Sequence, residues 1–284
     1  MKEFKDKVAL ITGAANGFGL EFAKEAARRG MKALLVDIEG EELEAARKIC
    51  QEMGMETIAL RADVSDPVQV EQCVNQAIAK FGGVDLLINN AGVAILGNCW
   101  ELPLNDWEWA FHLNVFSQVY FMRLVIPMMM KQGTPCHILN VASVAGVITA
   151  PGMPAYHASK FASVALTESV YYDLQKLGAE IKMSVFCPGF VRTDLYRCER
   201  HRPERYKDPE DPYYASPAFH ANQKRGEFLI KTGMAIDSIG MSVFQALEDE
   251  SFYILTDPRY TMLIGTRAKN ILEGGVPDVR NFIR

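Results

Sequence analysis

The chain has 284 residues, 49% hydrophobic and 23% charged, with a mean hydropathy of −0.01, which is ordinary globular material large enough for a substantial core. A net charge of −5 and a pI near 5.6 argue against nucleic acid or an anionic membrane as partner, because either demands a basic face to neutralise phosphates. The six cysteines, at positions 50, 73, 99, 136, 187 and 198, form no CxxC pair and keep no zinc-like spacing to histidine, so they read as reduced thiols and no metal is expected.

The opening Met-Lys-Glu-Phe-Lys-Asp-Lys carries no apolar stretch of signal-peptide length, and no run approaches the roughly 20 apolar residues of a membrane span. A soluble, cytoplasmic protein is expected. Residues 7–12 form a short β-branched run, a helical period follows over 18–29, and 33–37 form a second run. The alternation continues with strands at 57–61, 84–89, 137–142, 182–187 and near 252–255, and with helices at 41–53, 66–81, about 107–130 and 156–177. Strands that are apolar on both faces and separated by helices must be covered on both sides. The expected fold is therefore α/β, a doubly wound parallel sheet of about seven strands, as one domain over residues 1–284.

The first strand runs into Thr12-Gly13-Ala14-Ala15-Asn16-Gly17-Phe18-Gly19 at the start of a helix. Glycines there allow a tight turn and let backbone N–H groups approach a pyrophosphate, although they also serve plain helix–strand packing. Asp37 closes the second strand, where a carboxylate accepts hydrogen bonds from ribose hydroxyls and repels a 2′-phosphate. Ala15, Asn16 and Ile38 offer no basic group in that corner, so the expected cofactor is NAD. Asp63-Val64 and Asn90-Ala91-Gly92 follow the third and fourth strands as small or amide-bearing residues suited to lying against adenine and ribose.

Tyr156-His157-Ala158-Ser159-Lys160 opens a long helical segment and sets Tyr156 and Lys160 one turn apart on one face. A phenol of pKa about 10 is a poor base at neutrality, and a nearby ammonium favours its phenolate. Ser143, past the fifth strand, is placed to orient a substrate oxygen toward Tyr156. Asn114, inside an apolar helix, is placed to hold a water that relays a proton to Lys160. His157 should point about 100° away from Tyr156, and the remaining histidines have no ligand-like spacing.

TGAANGFG, NNAG, Asn114, Ser143, YHASK and Pro188-Gly189-Phe-Val-Arg-Thr193 stand in the order and approximate spacing of the short-chain dehydrogenase/reductase family, which the chain resembles over residues 5 to 195 and again from near Thr232. The resemblance implies an Asn-Ser-Tyr-Lys tetrad carried by Asn114, Ser143, Tyr156 and Lys160. It further implies a nicotinamide placed by Pro188, Gly189, Val191 and Thr193, with Lys160 also bonding the nicotinamide ribose. A homodimer or homotetramer is implied as well, with Trp100, Trp107, Trp109 and Met128 to Met130 in the core or at a subunit interface.

Residues 195–225 break the alternation. Pro203, Pro209, Pro212 and Pro217 oppose a long regular element, and Tyr196, Tyr206, Tyr213, Tyr214 and Phe219 make the segment aromatic. It is expected to be a lid above an apolar pocket walled by Val93, Ala94, Ile95, Leu96, Val144, Met153 and Pro154, with a surface excursion or a subunit contact as the alternative. The basic cluster from Arg197 to Arg205, interleaved with acids, reads as a solvated, salt-bridged surface. Hydride transfer between NAD(H) and a bulky hydrophobic secondary alcohol or ketone, such as a steroid or bile acid, is the expected reaction. The rivals are a catalytically silent dinucleotide sensor or scaffold, and an epimerase or dehydratase that uses hydride transfer as one step.

Overall fold

The computed structural model describes residues 1–277; residues 278–284 of the expected domain lie outside the described residues. Seven parallel strands form the sheet: β1 (Val8–Thr12), β2 (Lys32–Asp37), β3 (Thr57–Arg61), β4 (Leu86–Asn89), β5 (Cys136–Val141), β6 (Ile181–Cys187) and β7 (Tyr253–Leu255). Their spatial order is β3-β2-β1-β4-β5-β6-β7. The order reverses between β1 and β4, so a crevice opens at the carboxyl ends of those two strands.

Successive β1 residues face opposite sides. Ala9 and Ile11 pack with Phe22 and Ala26 of α1 (Gly17–Arg28), Leu43 and Ala46 of α2 (Gly40–Glu52), and a later helix through Val243 and Phe244. Leu10 packs on the other side with Val70 and Val74 of α3 (Pro67–Phe81) and with Phe121 and Val125 of the long helix described next. Both faces are dry, which is why these strands read as unbroken apolar runs.

That long helix is interrupted. α4 (Leu104–Phe111) passes through a π turn (His112–Phe116) into α5 (Ser117–Gln132), and the extra residue in the turn lets Asn114 point inward, fully buried. By length and composition the run Leu104–Gln132 is apolar enough to cross a membrane, contrary to expectation. Its buried polar groups tell against a span: Asn114 bonds Ser159 and Gln118 bonds Ser163, both on α6 (Pro154–Lys176). These pairs form against α6 in the core of the sheet-covering layer, as in a buried helix of a globular domain.

Three further helices follow β6: α7 (Pro217–Lys231), α8 (Ile239–Glu248) and α9 (Arg259–Leu272). α7 corrects the expectation that prolines oppose a long regular element over residues 195–225, since it begins inside that segment. Pro217 is its first residue, where the missing N–H costs nothing, and Ser216 caps it by accepting from the Phe219 amide (3.1 Å). Only 195–216 is irregular, as three short 3-10 turns.

Candidate active site

The crevice widens into one cleft of about 340 Å³ over the carboxyl edge of the sheet, of a size that takes small ligands. At one end Gly13 turns with φ +62°, and a Cβ there would meet the Asn90 amide at 2.8 Å. Asn16 precedes α1 without capping it, because its side chain donates to Glu42 instead (2.8 Å). The first amides of α1, among them those of Gly17 and Phe18, therefore have no side-chain acceptor and border the cleft, an arrangement suited to a pyrophosphate. Gly19 does not border it. A Cβ at Gly19 would fall on the Gly13 carbonyl, so this glycine serves helix–strand packing rather than ligand contact.

Asp37 accepts from the amides of Ala15 (2.9 Å) and Glu39 (3.0 Å), and burial holds its carboxyl above the usual range. Asp63, Val64, Asn90, Ala91 and Gly92 border the cleft beside it. One expectation fails here. The corner does contain basic groups, since Arg200 lies 3.5 Å from Glu42 and His201 lies 2.9 Å from Glu39. They arrive from a distant segment, so no local spacing announces them; each faces a carboxylate, and burial lowers the His201 imidazole below its ordinary value, so Arg200 is the standing charge of the two.

At the other end α6 carries Tyr156 and Lys160, both buried, to the edge of β5. Lys160 Nζ donates to the Val141 carbonyl (3.1 Å) and lies 5.8 Å from the Tyr156 ring centre. The lysine was expected to draw the phenol toward neutrality. In this geometry burial dominates: Tyr156 is pushed up to about 12, with a hydrogen bond involving Ser143 pulling the other way, and Lys160 is brought down to about 8. Ser143 Oγ also accepts from the Ala145 amide (3.1 Å).

Asn114 lies behind this group. Its Oδ1 accepts from Val93 N–H (2.8 Å), and its Nδ2 donates to Val93 O and Ser159 Oγ (both 3.0 Å). The side chain thus fixes the outlet of β4 and stands behind the groups bordering the cleft, with both amide hydrogens engaged. His157 is held at both nitrogens: Nε2 accepts from Ala150 N–H and Nδ1 donates to Ala145 O (both 2.9 Å), which leaves it no proton to exchange.

Pro188, Gly189, Val191 and Thr193 border the cleft below its roof. Tyr260 of α9 packs against Gly189, and a Cβ there would overlap its phenol; nothing in the local sequence points to α9 as a wall. Val93, Ala94, Ile95, Leu96, Val144 and Met153 line the remainder as expected, whereas Pro154, the first residue of α6, does not. Of the roof aromatics only Tyr196 and Phe219 border the cleft. Tyr206, Tyr213 and Tyr214 pack behind its wall, in one apolar cluster with Val93, Ile95 and Trp109, which do border the cleft.

The basic cluster is salt-bridged as expected, with Arg197 and Arg205 exposed, but Arg202 departs from a solvated surface. Arg202 is 4% exposed, with Asp106 at 2.6 Å, Glu199 gripped by two nitrogens (2.8 and 2.9 Å) and the Trp109 ring 4.2 Å away. No group of three or more metal-ligating side chains occurs among the described residues.

Residues 7–204 match the profile of the short chain dehydrogenase family, and the chain belongs to that family. It is a dehydrogenase/reductase, an oxidoreductase dependent on a nicotinamide dinucleotide. It is similar to a CLA biosynthesis dehydrogenase/reductase of Lactiplantibacillus plantarum, 53% identical over 98% of both chains. A 1-deoxy-11-beta-hydroxypentalenate dehydrogenase of Streptomyces exfoliatus is 33% identical over 66% of this chain and 69% of its own length. Among solved structures, a short chain dehydrogenase/reductase from Burkholderia phymatum in complex with NAD superposes with a TM-score of 0.94, at 38% identity over 98% of each chain.

Proposed function

We propose that the protein transfers hydride between NAD(H) and a bulky hydrophobic secondary alcohol or ketone, with Tyr156 as proton donor and acceptor. The observation that carries this reading is the buried Ser143, Tyr156 and Lys160 group at the floor of an apolar cleft whose far end is a glycine-turn cradle. The nicotinamide, when bound, supplies the hydride site. Pro188, Gly189, Val191 and Thr193 would hold it, and Asp37 would hold the adenosine ribose. Ser143 orients the substrate oxygen, Tyr156 gives it a proton in reduction or takes one in oxidation, and Lys160, one turn away, sets an ammonium below about pH 8 that opposes the burial raising the phenol. Asn114 is a positioning residue that holds Val93 and Ser159 around them.

The apolar lining supports a steroid or bile-acid-like substrate. A second reading rests on the name of the Lactiplantibacillus relative: with CLA read as conjugated linoleic acid, a hydroxy or oxo long-chain acid becomes the competing substrate. Asp37, Glu39 and Glu42 support NAD over NADP, since a 2′-phosphate would enter a corner of carboxylates in which Arg200 is already paired with Glu42. Five buried free cysteines, with only Cys99 exposed, support a reducing, cytoplasmic setting. The exposed Leu104, Phe116, Leu124 and Met130 of the run Leu104–Gln132 support a homodimer or homotetramer, which sedimentation velocity checks. The deciting experiment for substrate and cofactor follows NADH and NADPH absorbance against a panel of hydroxysteroids, bile acids and hydroxy fatty acids with their ketones. Turnover confined to small polar alcohols, or equal use of both dinucleotides, overturns the assignment.

A further inference from the structure

Residues 195–206 extend well beyond the nicotinamide end of the cleft. Leu195, Tyr196 and Cys198 border its interior, and the chain then runs on to the glycine-turn end, where His201 and Pro203 form part of the wall. Three side chains tie this stretch to the elements that hold Asp37 and Asp63. Arg200 reaches Glu42 (3.5 Å), His201 reaches Glu39 (2.9 Å), and Arg205 reaches Asp63 (2.7 Å) while donating to Ser65 Oγ (2.6 Å). Between them Arg202 is buried on Asp106, Glu199 and Trp109, which fixes the backbone of the stretch from beneath. Asp106 and Trp109 belong to the substrate wall with Val93 and Ile95, whereas Glu39, Glu42 and Asp63 lie beside Asp37 at the glycine-turn end, so a lid that served substrate alone would have no need of those three.

We infer that residues 200–205 are a clamp over the adenosine half of the dinucleotide site, with His201 and Pro203 as its outer wall and the Arg205–Asp63 ion pair as its latch. The inference rests on the dinucleotide reading above. Asp37, Ile38, Asp63 and Val64 would lie beneath the adenosine and the clamp above it, so the latch must open before the ligand can leave. Arg205 is 45% exposed and Asp63 11%, which makes the latch a partly screened pair of moderate strength that salt weakens.

The test uses the whole protein and measures binding without turnover: ADP-ribose affinity by calorimetry and NADH release by stopped-flow displacement. Arg205→Ala should speed NADH release roughly three- to tenfold and weaken ADP-ribose by a similar factor, since loss of a partly buried charge pair acts mainly on dissociation. Arg205→Lys should restore most of the loss. Lys207→Ala, which removes a neighbouring exposed pair with Glu204, should change neither quantity. Raising salt should speed release from the parent and leave Arg205→Ala nearly unaffected. Equal release rates and equal ADP-ribose affinity in parent and Arg205→Ala overturn the clamp alone. A parent that binds no ADP-ribose overturns the dinucleotide reading beneath it.

Discussion

The floor of the cleft and its roof are built on different principles. The floor comes from strand outlets and the first turns of α1 and α6, with Tyr156, Lys160 and Ser143 set by backbone hydrogen bonds and dry packing against the sheet. The roof, residues 195–231, is fastened by charged side chains reaching across the molecule: Arg202 to Asp106, Arg205 to Asp63, Arg200 to Glu42. A floor of this kind holds a proton-transfer group in one geometry. A roof held by ion pairs can open for ligands and be retuned without disturbing the chemistry below it.

The largest effect that sharpens this contrast is on the floor. Tyr156→Phe should lower turnover by about 10²–10⁴-fold while dinucleotide binding stays near the parent value, because only the proton-transfer group is removed. On the roof, Arg202→Ala should cost about 3–5 kcal/mol of stability in urea unfolding, since it leaves Asp106 buried without its counter-charge. Joint replacement of Arg202 and Asp106 by Met and Leu should recover most of that loss. If instead Arg202→Ala unfolds like the parent, the roof is not anchored where the geometry places its anchor.

A smaller effect is graded by pH. With Lys160 near 8 and Tyr156 near 12, the pair carries both ionisable protons below about pH 8 and one of them between about 8 and 12. Reduction needs a phenol beside an ammonium, so its kcat/KM should be level below pH 8 and fall by about tenfold per unit above it. Oxidation needs one proton fewer and should rise over the same range. Asp37→Ala should weaken NAD by roughly tenfold through loss of a charged acceptor, and should improve NADP because the carboxylate that repels a 2′-phosphate is gone. Paired titrations of the two dinucleotides check both changes.

The contrast also explains what the amino-acid order reveals. Each strand falls within two residues of where its apolar run places it, because burial on both faces leaves an unbroken signal. The floor residues lie in short local motifs, and all but Gly19 and Asn114 border the cleft. Those two stand one layer behind, where helix–strand approach and the π turn require them. The roof was legible only as composition. Its contacts from 200–205 to the rest of the molecule join residues more than ninety positions apart, so nothing in the spacing of Arg200, His201 or Arg205 indicates a partner in 39–63, and the burial of Arg202 hides behind a charge pattern typical of solvent-facing surfaces. α7 was missed because Pro217 reads as a breaker unless Ser216 is recognised as the cap before it.

The most direct test of the account follows the hydrogen itself. Reduction of a hydrophobic ketone with NADH deuterated at its transferable position should yield an alcohol with deuterium on the carbinol carbon, one per NADH oxidised. Product without deuterium, or an epimerised or dehydrated substrate with no net oxidation of NADH, would contradict it.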